Sequence, residues 1–106
     1  MNIKEKYITD LIKAKILLKN PMADLILFGS HARGESNKNS DWDILILLNQ
    51  HHVNRLIEKE YRDEVFDIEI EIGEPISILV FSKNDWEQKY KATPLYQNIK
   101  REGIHL

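Results

Sequence analysis

Two aspartates one residue apart, Asp41 and Asp43, open an apolar run from Ile44 to Leu48, and no other feature constrains the chain as strongly. An apolar run of that length, polar only at its start, reads as a strand over residues 41–48. Successive strand side chains point to opposite faces, so the two carboxylates share a face, with Cα atoms roughly 6.5–7 Å apart. Trp42 points the other way, which suits core packing. Like charges this close repel and raise each other's pKa unless a cation stands between them. A divalent metal is the most economical occupant, and oxygen ligands without a Cys or His cluster favour Mg²⁺ or Mn²⁺ over zinc.

The complementary half lies just upstream. Asp24 to Phe28 reads as a first, buried strand, which Gly29 stops. Glycine lets backbone approach a ligand closely, and Ser30 adds a hydroxyl. The N–H groups from Ser30 to Ala32 can open a short helix whose N-terminus favours phosphate, and Arg33 adds a permanent, fork-shaped cation. A phosphate cradle beside a metal-binding pair suggests chemistry on a nucleoside triphosphate.

Gly29-Ser30, ten residues, then Asp41-Trp42-Asp43 resembles the GS-x10-DxD signature of the polymerase-β nucleotidyltransferase superfamily. The stretch GSHARGESNKNSDWDILI is similar in particular to the minimal nucleotidyltransferase (MNT) domains of bacteria and archaea. That resemblance implies Asp41 and Asp43 as catalytic metal ligands and Gly29 and Ser30 as triphosphate-binding residues. Arg33 and Ser40 fall on motif positions and join them as nucleotide-binding candidates. The expected fold is α+β, a small mixed sheet of three or more strands with helices packed on it, polymerase-β nucleotidyltransferase-like.

Length and composition set outer bounds. The 106 residues are expected to form one domain, 1–106, with a single core. A net charge of −2 gives no basic face for non-specific nucleic-acid binding. Cysteine is absent, which removes disulfides and thiol chemistry. No apolar run approaches the ~20 residues of a membrane span, and the N-terminus lacks a signal-peptide core, so the cytoplasm is the expected location.

Around this centre, Ile8, Leu11, Ile12, Ile16 and Leu17 carry the period of an amphipathic helix over residues 3–18, ended by Asn20-Pro21. Its lysines are diluted by Glu5 and Asp10 and have no interleaved aromatics, which favours a solvated face over a nucleic-acid surface. His31 follows the turn serine directly; contact with phosphate, a surface position and a gap-filling role all stay open. His51 and His52 are adjacent, so they diverge on helix or strand, and zinc is discounted. Residues 53–72 fit two patterns. Val53, Ile57, Tyr61, Val65, Ile68 and Ile72 form one helical stripe, whereas Phe66, Ile68, Ile70 and Ile72 alternate as in a strand. The helix is favoured, with Gly73 as its C′ residue and Pro75 just beyond. The acids near its end sit badly against the helix dipole; they are read as solvated or as facing a basic partner. Ile76 to Phe81 reads as a buried strand, with Ser82 capping a helix that starts near Asn84. Thr93-Pro94 reads as an N-cap followed by proline at the first helical position.

Enzymes resembling this chain carry a third carboxylate on the strand beside the aspartate pair. Here that strand has no acid, and Ser77 stands at the matching position. Glu74, Glu69 and Glu71 are the substitutes within reach. The resemblance implies a metal-dependent nucleotidyltransferase, with ATP or another NTP as substrate and Mg²⁺ or Mn²⁺ as cofactor, moving AMP to a protein or small-molecule hydroxyl. It also implies a HEPN-type helical partner or a homo-oligomer, often in a toxin–antitoxin pair. The alternative is a nucleotide-binding module that neutralises such a partner by covering it.

Overall fold

The computed structural model describes residues 1–106. Helix α1 (Ile3–Lys19) opens with a capping box: the Glu5 N–H donates to Asn2 Oδ1 at 2.8 Å, and the Asn2 N–H donates to Glu5 Oε1 at 3.0 Å. Ile8, Ile12 and Ile16 recur every fourth residue and are buried. Asn20 ends the helix because the residue before proline avoids helical dihedrals. Strand β1 (Asp24–Phe28) leads through the single helical turn α2 (Ser30–Arg33) to β2 (Trp42–Leu48). The ladder begins at Trp42, whose N–H donates to Pro75 O at 3.0 Å, so Asp41 sits just outside the strand rather than in it.

Residues 55–72 resolve the two overlapping patterns. They form helix α3 (Arg55–Ile72), capped by Asn54 at its start and by Gly73 at φ +70° at its end. Tyr61, Val65 and Ile68 are buried, while Phe66 and Ile70 are 55% and 67% exposed. The strand-like alternation is therefore an accident of composition. Strand β3 (Ile76–Ser82) runs parallel to β2, as a crossover through a helix allows. Ser82 caps α4 (Lys83–Gln88), and Thr93 caps α5 (Pro94–Glu102), which has Pro94 in its first turn. A two-residue strand β4 (Ile104–His105) then pairs antiparallel with β1. Such a short segment carries no periodic signal; it exists because α5 returns the chain to the free edge of β1.

The sheet is mixed, in the order β3-β2-β1-β4, with β1 and β2 antiparallel. Helices α1 and α3 cover one face, enclosing Leu25, Leu27, Trp42, Ile44 and Ile46. Helices α4 and α5 cover the other, where Trp86, Tyr96 and Ile99 meet Ile26, Leu45 and Leu47. The acidic side of α3 faces the lysines of α1, with Lys15 3.7 Å from Glu64 and 3.8 Å from Asp67, and Lys19 3.4 Å from Glu60. Its basic partner is thus part of the same chain, in contacts that are open to water and worth only tenths of a kcal/mol, about 0–1, each. No helix is long and apolar enough to cross a membrane.

Candidate active site

The β1–β2 register decides where the aspartates meet the glycine turn. Phe28 is opposite Asp43, so the chain leaves β1 at Gly29 beside the Asp43 carboxylate. Gly29 adopts φ +78°, a conformation that L side chains rarely take, and a β-carbon built there would collide with Asp43 Oδ2. The missing side chain is what allows the turn and the carboxylate to share one crevice. From Gly29 the backbone closes one helical turn, with the Arg33 N–H donating to Gly29 O at 3.1 Å and the Glu35 N–H to Ser30 O at 2.9 Å. The first amides of such a turn have no carbonyl behind them and remain available to an acceptor.

Asp43 is half-buried and Asp41 is exposed at the mouth. Burial, and next the neighbouring charge of Asp41, push the Asp43 carboxyl above its ordinary value, while His31 and Arg33 pull it back. Asp41 Oδ2 accepts a hydrogen bond from Ser77 Oγ at 3.1 Å, and Ser77 is in register with Asp43 across the β2–β3 ladder. The three positions therefore do converge, but the third contributes a hydroxyl. None of the substitute acids takes its place. Glu69 Oε1 accepts from the Ile76 N–H at 2.7 Å, Glu74 pairs with Lys4 at 3.2 Å, and Glu71 is exposed. No cluster of three His, Asp or Glu side chains is assembled.

Arg33 reaches the site already engaged: Nη1 lies 2.9 Å from Glu102 Oε2 and Nε 3.2 Å from Glu35 Oε2. These bonds, to Glu102 first, raise its basicity further. Glu102 was not singled out by sequence, because the end of α5 reaches the turn only through the β4–β1 pairing. Its charge is also felt at Asp43. Ser40 closes its own loop, accepting from the Asn37 N–H at 2.9 Å. His31 is buried and stacked on Trp42. His51 and His52 are exposed in the loop after β2.

Two carboxylates at one wall fit a Mg²⁺ or Mn²⁺ ion that keeps its remaining positions for water and phosphate oxygens, since such ions are bound through one or two carboxylates plus substrate. A cation beside Asp43 would offset the burial and, next, the neighbouring Asp41 charge that raise its carboxyl.

Residues 10–102 match the nucleotidyltransferase domain family. Among solved structures, the fold is similar to a chain of a toxin–antitoxin crystal structure with AMP-PNP, at 21% identity and TM-score 0.62, covering 89% of this chain and 68% of that one. It is also similar to a toxin–antitoxin MntA–HpeT mutant in which two aspartates two positions apart are changed to glutamate (18% identity, TM-score 0.60, 99% of this chain and 72% of that one). A second MntA–HpeT mutant, with a tyrosine changed to alanine, matches at 21% identity and TM-score 0.59, covering 100% and 72%. At these identities the structures establish a shared fold. A search of curated proteins returns no match. The chain belongs to the nucleotidyltransferase domain family.

Proposed function

From that membership we propose that the chain transfers a nucleoside monophosphate, AMP from ATP, to a hydroxyl of a protein or small molecule, with Mg²⁺ or Mn²⁺ held by Asp41 and Asp43. The observation that carries this reading is the seating of Asp43 against Gly29, which sets a carboxylate of the aspartate pair beside the turn proposed to take phosphate. A bound metal would neutralise charge on the triphosphate and on the pyrophosphate that leaves. The chain's own residues do the positioning. The Gly29–Ser30 turn offers backbone amides and the Ser30 hydroxyl to phosphate oxygens. Arg33, at the end of the same turn, supplies a cation once it exchanges a carboxylate for phosphate. Asp41, exposed and bonded by Ser77, stays open to an approaching acceptor. Most of the rate gain in such a reaction comes from orientation and electrostatics.

AMP-PNP in one relative's crystal structure and the aspartate substitutions in another support the nucleotide and the carboxylates as the features to examine. The toxin–antitoxin setting of these relatives supports a role as the antitoxin of a pair; the proposed partner and acceptor, a HEPN-type protein, rests on the resemblance of the motif to MNT domains.

Ser77 in place of a third acid favours a second reading, a nucleotide-binding module that neutralises its partner by contact. Incubation with labelled ATP, Mg²⁺ and the partner separates the two. Label transferred by wild type but not by an Asp41→Asn/Asp43→Asn double variant supports the transferase. If neither labels any acceptor while both neutralise the partner equally, the binding module stands instead.

A further inference from the structure

Two rings join the halves of the crevice. His31 follows the turn serine, and Trp42 separates the two aspartates. They stack with centroids 3.6 Å apart and planes 8° from parallel, and they are 6% and 1% exposed. Neither imidazole nitrogen nor the indole Nε1 has a hydrogen-bond partner. The Glu5 carboxylate lies 3.6 Å from His31 Nδ1, close enough for an electrostatic contact, which, after the Asn2 N–H, helps hold the Glu5 carboxyl below its ordinary value, but too long for a hydrogen bond. Burying unpaired polar atoms costs stability, so hydrogen bonding does not account for this residue. What the imidazole does offer is a flat face, and a face-to-face contact fixes both tilt and separation in a way that a branched aliphatic does not.

The backbone alone leaves this fixing undone. The β1–β2 ladder ends at the Phe28–Asp43 pair, and Gly29 then turns the chain away. Beyond that point the stack joins α2 to the start of β2, next to the contact of Asp43 with Gly29.

We infer that His31 is a positioning residue, whose stack on Trp42 sets the spacing between the Gly29–Ser30 turn and the Asp41 and Asp43 carboxylates. It thereby couples a phosphate held at the turn to a cation held at the aspartates. The coupling rests on the proposed nucleotide site; the spacing does not.

The test compares His31→Phe, which keeps a flat ring and removes the unpaired nitrogens, with His31→Leu and the smaller His31→Asn, which cannot stack. Crystal structures of each give the Gly29–Asp43 contact. Calorimetry with AMP-PNP, with and without Mg²⁺, gives the factor by which metal tightens nucleotide binding. His31→Phe is expected to retain both. A folded His31→Leu or His31→Asn is expected to open the contact and lose about tenfold of the metal–nucleotide coupling, within the ordinary range of coupling between two sites. A non-stacking variant that keeps the contact overturns the spacing, whatever its binding. A His31→Phe variant that loses coupling as the others do overturns the role of the stack and assigns it to the nitrogens. If wild type binds no AMP-PNP with Mg²⁺, the proposed function and the coupling fail together, while the structures still decide the spacing.

Discussion

The Asp43 carboxylate rests on the α-carbon of Gly29, filling the space that a side chain at position 29 would need. The β1–β2 register brings the two together, since Phe28 and Asp43 are opposite one another at the end of the ladder. The contact makes the glycine a steric requirement of the aspartate, and the aspartate a wall of the glycine's turn.

Gly29→Ala is therefore expected to destabilise the protein by about 1–3 kcal/mol, combining a left-handed φ with the collision, and to abolish nucleotide binding. Urea denaturation and calorimetry measure the two effects. Adding Asp43→Ala removes the collision but not the φ penalty. The double variant should accordingly lose less stability than the two single changes predict.

Stability should depend on pH through Asp43. Its folded-state carboxyl is raised by burial and by Asp41, so the native state holds this proton more tightly than the unfolded chain does. The contribution is fully present below the ordinary aspartate range and is lost as pH rises through the raised folded value. Asp43→Asn should raise the melting temperature near pH 7 and have no such advantage at pH 3. Thermal scans from pH 3 to pH 8 read this directly, and added Mg²⁺ should stabilise wild type but not the variant.

Ser77→Asp would place a carboxylate at the register position opposite Asp43, next to Asp41. Without metal, three clustered acids should lower stability. With Mn²⁺, affinity should rise about 10-fold or more, as expected when a further oxygen ligand joins the site. Isothermal titration with Mn²⁺ gives the affinity; an unchanged value would place position 77 outside metal reach.

Ile68→Ala should cost about 2–4 kcal/mol, because Ile68 is buried on the inner face of α3. Ile70→Ala, at an exposed position two residues on, should fall within about 0.5 kcal/mol of wild type. Denaturant midpoints of the two variants separate the helical packing of this stretch from the strand its alternation imitates.

Sequence alone determined the local elements and the chemistry of the motif. The four-residue spacing of Ile8, Ile12 and Ile16, the caps at Ser82 and Thr93, and the glycine stop at Gly73 are short-range signals that the structure bears out. The pairing of Gly29-Ser30 with Asp41 and Asp43 was equally legible, because both halves lie within fifteen residues. Tertiary structure decided what depends on distant segments. Glu102 reaches Arg33 across 69 positions, Ser77 reaches Asp41 across 36, and the lysines of α1 meet the acids of α3. Strand β4 exists only because β1 offers it an edge. Periodicity and capping depend on neighbours a turn or two away, whereas these contacts depend on which sheet edge and which face a returning chain finds, and the packing of the whole chain sets that.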